Sequence, residues 1–402
     1  MRLGIDGNNS AAHLAGKVTT ARARLPQGYR QRFTRGRIPC FIVVLRVALS
    51  GSFMKYRYLG RSGLLVSRVC LGTMTFGNPQ WGCDQPTSSA IVDRFIAAGG
   101  NFIDTADMYS GGASEEMLGV ALKAHRRDEM VIASKCWFGV GPAPTGRGLS
   151  RKHMVEACEA SLRRIGTDHI DLYQLHGPDP YTPTEETLRA ADDLIRAGKI
   201  RYLGCSNFYG WQIAQANGVA ALKGYAPLVS AQHLYNLIRR DIEREILPAC
   251  DAEGVGMICW SPLAAGMLTG KYSAKDKPDE TSRIGIQASI TLPRYWFDDA
   301  LKLIDTLVAT AQRVGRSPSQ VALGWLLGDH RVTAVIVGAR RVDQIAENLE
   351  AGDWDLPTDI RDELTAAMPL KLGYPYEWMS TTFPANIDRA EFPPQHAARL
   401  PR

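Results

Sequence analysis

The sequence predicts a (β/α)8 TIM barrel. From Met54 onward, short apolar, β-branched runs alternate with amphipathic helical stretches, and strands that alternate with helices imply a parallel sheet. Eight such runs fit within roughly 290 residues, the count and length of a closed barrel. Each run also ends in polar residues, which such a barrel gathers at the carboxyl rim of its strands.

The runs are Val69–Thr73, Asn101–Asp104, Met130–Lys135, His169–His176, Ile200–Asn207, Leu228–Asn236, Gly256–Pro262 and Ala334–Arg340. Between them, Ser89–Ala98, Glu115–Ala124, Arg151–Ile165, Glu185–Ala197, Trp211–Asn217, Asp241–Ala252 and Ala300–Val314 read as helices, with extra helix at Pro318–Leu327. In Arg151–Ile165, the residues Met154, Val155, Cys158, Ser161, Leu162 and Ile165 recur at the spacing of one helical face. Ser114 is placed to cap Glu115–Ala124, whose acids Glu115 and Glu116 favour the positive first turn. Upstream, Lys55–Leu59 and Leu64–Val69 flank Gly60-Arg61-Ser62-Gly63. They form a predicted β-hairpin that would cover the amino-terminal mouth of the barrel. The alternative, a doubly wound sheet, calls for a Gly-rich fingerprint after the first strand. Leu71–Gly77 (LGTMTFG) is not GxGxxG, and Gly139-Val140-Gly141-Pro142 reads as a loop.

Of the 402 residues, 45% are hydrophobic and 22% charged, and the formal net charge is +6. That charge sits in residues 1–53, which hold nine Lys/Arg and one acid; the other residues carry 38 basic against 40 acidic groups. The body is therefore no nucleic-acid binder and has no polyanion or membrane target. Residues 1–53 are expected to be a disordered or non-native extension, upstream of a start at Met54; a transit peptide is the alternative. Residues 54–368 form the barrel and 369–402 a carboxyl tail. The eight cysteines form no CxxC pair, which indicates a reducing, cytoplasmic location without a disulfide framework. The subunit number is not readable; a homo-oligomer is left open.

The rim carries the chemistry. Asp104 ends the second run with Tyr109 just beyond; Lys135 ends the third and His176 the fourth. Singly, each has a bland reading as a solvated or hydrogen-bonded residue. Together they make a coherent set for carbonyl–alcohol chemistry. Asp104 would keep Lys135 charged, and the ammonium would lower the pKa of the Tyr109 phenol from its usual value near 10. Tyr109 could then exchange a proton with an alkoxide, and His176 could hydrogen-bond the same oxygen. No metal is called for, since no HExxH or paired Cys/His spacing occurs.

Seven segments carry a family likeness: Asn101–Gly112 (NFIDTADMYSGG), Ile132–Lys135 (IASK), Asp171–His176 (DLYQLH), Ile200–Asn207 (IRYLGCSN), Gln232–Asn236 (QHLYN), Cys259–Leu263 (CWSPL) and Val337–Asn348 (VGARRVDQIAEN). With them the chain resembles the aldo-keto reductase superfamily from Lys55 to about Leu356, nearest the aryl-alcohol-dehydrogenase-like and potassium-channel β-subunit-like branch. The resemblance implies a barrel that binds NADPH, with NADH the alternative. It implies Asp104, Tyr109, Lys135 and His176 as the catalytic tetrad, Tyr109 being the general acid/base. Ser206, Asn207 and Gln232 would hold the nicotinamide amide, and Trp260 would stack on its ring. Gly72, Thr73, Ser261, Pro262 and Leu263 would lie beside the cofactor. Gly338, Arg340, Gln344, Glu347 and Asn348 would bind the adenosine half, with Arg340 suited to a 2′-phosphate. Lys271 and Arg283, in the loop after the seventh run, would clamp the pyrophosphate or phosphate.

The expected substrate is a small aldehyde or ketone. Trp81, Trp137, Phe138 and Tyr235 would line an apolar or aromatic pocket with Tyr109 and His176 at its base. The tail from Leu370, with Tyr374, Tyr376 and Trp378, would fold over it. Two further functions stay open: oxidation of a sugar or toxin hydroxyl, and a redox-sensing, β-subunit-like binding role.

Overall fold

The computed structural model describes residues 54–273, 280, 282–379 and 382. The extension 1–53 and most of the tail beyond residue 379 lie outside the described residues. Eight parallel strands close on themselves in the order β10-β3-β4-β5-β6-β7-β8-β9. These are β3 (Val69–Gly72), β4 (Phe102–Asp104), β5 (Val131–Cys136), β6 (Ile170–Leu175), β7 (Ile200–Ser206), β8 (Leu228–Leu234), β9 (Gly256–Trp260) and β10 (Val332–Val337). The predicted barrel is present, and all eight runs supply its strands.

Side chains alternate across each strand, and this sorts the core into two layers. Cys70, Phe102, Val131, Ala133, Leu172, Ile258 and Ala334 fill the barrel interior. Leu71, Ile103, Ile132, Tyr173, Leu203, Met257 and Val335 face outward and pack under the helices. The predicted hairpin is β1 (Tyr56–Tyr58) paired antiparallel with β2 (Leu65–Ser67). Leu59 and Val66 from it are fully buried in the interior cluster, so the hairpin is the plug of the barrel floor. Gly60 turns there at φ 56°; a Cβ on it would lie 2.5 Å from the carbonyl oxygen of Gly254.

The helices are α1 (Gln85–Ala97), α2 (Ala113–Leu122), α3 (Arg151–Ile165), α4 (Thr184–Arg196), α5 (Gly210–Lys223), α6 (Ile246–Glu253), α7 (Arg283–Ile286), α8 (Ala288–Tyr295), α9 (Asp298–Val314), α10 (Pro318–Leu327), α11 (Val342–Leu349) and α12 (Thr358–Ala367). Side chains fix several starts: the Asp84 carboxylate accepts from Thr87 N–H, and Ser317 makes a capping box with Gln320.

Two local expectations are corrected. Ser114 is not a cap. The amino-terminal cap of α2 is Gly112 at φ 102°, while the buried Ser114 hydroxyl donates to the Thr73 carbonyl at 2.8 Å. Asp241–Ala252 is not one helix but a 3-10 turn, Asp241–Glu243, followed by α6. The break falls at Glu245, whose carboxylate leaves its own segment to accept from Trp211 N–H at the start of α5. Among the described residues, all seven cysteines are free thiols and no helix is long and apolar enough to cross a membrane.

Candidate active site

Strand alternation turns Asp104, Lys135, Gln174 and Gln232 inward at the upper layer of the barrel. All four are buried. Lys135 Nζ donates to Asp104 Oδ1 at 2.6 Å, to the Thr105 carbonyl at 2.7 Å and to Tyr109 Oη at 3.1 Å. An ammonium has three N–H donors, and these acceptors use all of them. Tyr109 arrives from a short 3-10 turn, Tyr109–Gly112, in which Ser110 and Gly111 adopt left-handed backbone angles. The phenol lies over the strand ends, against the Lys135 ammonium.

Burial pushes Lys135 down, but Asp104 and the Tyr109 oxygen outweigh it and hold the ammonium well above its ordinary value. Burial likewise pushes the Tyr109 phenol up, against the pull of Lys135 and Arg283. The expected lowering of the Tyr109 pKa is thus reversed. The Lys135 charge is shared with the closer Asp104 carboxylate, and desolvation of the phenol prevails. Burial, then Lys135, push His176 down to about 2, so its imidazole is neutral at working pH. Its ring stands edge-on to Tyr109 with centroids 6.0 Å apart.

Of the expected substrate residues, Phe138 stands edge-on to His176 at 4.9 Å, and Trp137 edge-on to Phe138 at 4.7 Å. Trp81 lies under the Arg283 guanidinium, 4.9 Å from ring to Cζ. Tyr235 does not join them. It continues the outward-facing series of β8; its hydroxyl donates to Glu243 at 2.7 Å and its ring packs on Trp325 of α10. At the described start of the tail, Arg244 donates to the Lys371 carbonyl, beside Arg240, which donates to the Met368 carbonyl at the end of the barrel.

The expected cofactor residues form a second group along the same rim. Asn207, at φ 61°, donates to the His176 carbonyl at 3.0 Å and accepts from Trp260 Nε1 at 3.1 Å. Ser206 Oγ donates to the Gln232 carbonyl at 2.9 Å. Ser261 accepts from Tyr295 at 3.2 Å, and Arg294 lies over the Trp260 ring. Pro262 is buried and Leu263 half-buried. Gly72 and Gly338 adjoin, and a Cβ on Gly338 would lie 3.6 Å from the Gly72 carbonyl oxygen. Thr73 turns its hydroxyl away, to Ser114 at 2.8 Å. Gln344 Oε1 accepts from Arg340 N–H at 2.9 Å; Asn348 is buried and Glu347 exposed on the same helix. Arg283 and Arg340 act on one another electrostatically. Among the described residues, neither they nor Lys271 has a carboxylate ion-pair partner.

Two features escaped the sequence reading. Ala264, Ala265 and Gly266 follow β9 with three consecutive left-handed backbones (φ 50°, 55° and 98°), a tight turn in which the Ala264 and Gly266 amides donate to the Ser261 and Leu263 carbonyls. Gln174 sits inside the quoted DLYQLH segment, where strand alternation alone marks it as inward. Its Nε2 donates to Asp104 Oδ2 at 2.9 Å.

The profile of the aldo/keto reductase family matches residues 68–368. The chain belongs to the aldo/keto reductase family. Its relatives include versiconal hemiacetal acetate reductase of Aspergillus parasiticus, 38% identical over 316 residues, which cover 73% of this chain and 91% of the relative. A probable voltage-gated potassium channel subunit beta of Oryza sativa subsp. japonica is 38% identical over 325 residues, 79% of this chain and 98% of the relative. The uncharacterized oxidoreductase YrpG of Bacillus subtilis is 36% identical over 327 residues, 79% and 96% respectively. These aldo/keto reductase relatives support the branch named from the sequence, and an oxidoreductase that uses a nicotinamide cofactor.

Proposed function

We propose that the chain is an NADPH-dependent carbonyl reductase in which Tyr109 delivers the proton. The observation that carries this reading is the contact of Lys135 Nζ with Asp104, Thr105 and Tyr109 together. Because Lys135 donates to Tyr109 Oη, the phenol proton is left to point at a substrate oxygen. With its pKa raised by burial, the phenol holds its proton at neutral pH and is in the form that can protonate a developing alkoxide. Neutral His176 beside it can donate to the same oxygen and orient the carbonyl. Lys135 stabilises the phenolate as the proton leaves, and Asp104 keeps Lys135 in register.

The residues present fit a nicotinamide dinucleotide. Lys271, Arg283 and Arg340 suit its phosphates, and Arg340 suits a 2′-phosphate. Trp260, Ser206, Asn207 and Gln232 would border the nicotinamide. When bound, the cofactor supplies the hydride. Trp137 and Phe138 over His176 fit an aromatic or apolar carbonyl.

The test is a panel of aromatic and aliphatic aldehydes and ketones with NADPH, run beside the corresponding alcohols with NADP+. Faster aldehyde or ketone turnover near neutral pH is expected. Faster alcohol oxidation would support the dehydrogenase reading. Negligible turnover of every compound with tight NADPH retention would support the β-subunit-like binding role instead.

A further inference from the structure

Ser261, the first residue after β9, holds a left-handed backbone angle, φ 52°. A side chain crowds the backbone at that angle, so a serine keeps it only where its surroundings hold it there. One hold comes from β8. Leu234 is in register with Trp260, and just beyond them Asn236 Nδ2 donates to the Ser261 carbonyl at 2.9 Å. Asn236 is fully buried. Its Oδ1 accepts from the amides of Ile238 at 3.0 Å and Arg239 at 2.9 Å. Turning the side-chain amide over would set its NH2 against two N–H donors. The orientation is therefore fixed, with one donor aimed at Ser261.

Two further bonds to Ser261 act differently. The Ala264 amide also donates to the Ser261 carbonyl. The torsions of Pro262 and Leu263 close that turn, so it travels with the segment whatever value φ takes at Ser261. Tyr295 Oη donates to Ser261 Oγ at 3.2 Å, which holds the side chain from α8. Asn236 ties the Ser261 carbonyl itself to the adjacent strand end.

We propose that Asn236 is a positioning residue for the cofactor: its amide holds Ser261 left-handed and so aims Ser261, Pro262 and Leu263, the residues expected beside the dinucleotide, at their ligand. This rests on the proposed dinucleotide reading of the rim. Asn236 acts through Ser261 rather than by contact with the ligand. Asparagine suits the task because its short side chain carries both an acceptor for the Ile238 and Arg239 amides and a donor for Ser261. Without that donor, a residue with a β carbon relaxes to a commoner angle, and only the fraction still left-handed binds. Glycine takes either hand about equally, so it needs no such hold.

The experiment measures the NADPH Kd, by cofactor fluorescence, for Asn236→Ala in two backgrounds, Ser261→Ala and Ser261→Gly. Both backgrounds lack the hydroxyl and its bond to Tyr295; they differ only in the β carbon that makes the left-handed angle costly. In the alanine background Asn236→Ala is expected to raise the Kd by about tenfold, the equivalent of about 1.4 kcal/mol. In the glycine background the rise is expected to be about twofold. A merely structural role would raise the Kd by the same factor in both, which overturns the proposal. If Asn236→Ala fails to fold, Asn236→Asp keeps the two accepted bonds and removes the donated one, and the same difference between backgrounds is read. Failure of wild type to bind NADPH overturns the dinucleotide reading, and the proposal with it. Binding by wild type with equal factors in the two backgrounds overturns only the role of Asn236.

Discussion

Lys135 and Asp107 are both buried, with opposite consequences. Lys135 has each donor satisfied and stays charged although fully buried. Asp107 is equally buried, and neither carboxylate oxygen has a hydrogen-bond partner among the described residues. Burial, then the Glu115 carboxylate, raise its pKa from 3.8 to about 7, against Arg164. The sign follows directly. The folded chain holds this proton up to about pH 7 and the unfolded chain only to about pH 4, so folded stability falls across that window as pH rises. Asp107→Asn removes the ionisation. It should raise the Tm by roughly 5 °C at about pH 8 and change it little below about pH 4, as read by thermal melts. An equal shift at both pH values would mean that Asp107 is not protonated in the fold. The sequence shows Asp107 only as one more acid between Asp104 and Tyr109. It could not give the charge state, which depends on Glu115 and Arg164 packing behind it from α2 and α3.

The loops after β9 and β10 act together at the scale of elements. Arg283 opens α7, and Arg340 precedes α11, where Gln344 ties down its amide. Neither guanidinium has a carboxylate ion-pair partner among the described residues, and each charge disfavours the other until an anion compensates them. That arrangement suits a phosphate-rich ligand. Arg340→Ala should raise the KM for NADPH by about tenfold or more and change that for NADH by less than about twofold in steady-state assays. Equal changes would remove Arg340 from 2′-phosphate recognition. Both arginines were legible as candidates from their motif and loop. Their effect on one another was not, because it acts between loops 57 positions apart in the chain. Tyr235 failed for a related reason: the motif QHLYN placed it at the rim, but the period-two alternation of β8 turns it towards Trp325. The hairpin succeeded because a Gly-bounded turn between two apolar runs is local information.

Across the whole molecule, the barrel was readable because its signal repeats eight times and each repeat is short-range. The rim residues were readable because a parallel barrel sends every strand end to one face. The proton balance was less readable. The sequence gives Lys135 near Tyr109 but not the greater proximity of Asp104, nor the depth of burial that raises the phenol pKa. The central claim is that this fold delivers a proton from Tyr109 while other residues hold the dinucleotide. Parallel measurement of kcat and of the NADPH Kd for Tyr109→Phe tests it most directly. The account predicts that kcat for carbonyl reduction falls by roughly 10²–10⁴-fold while the Kd stays within about twofold of wild type; near-normal turnover by this variant would contradict it.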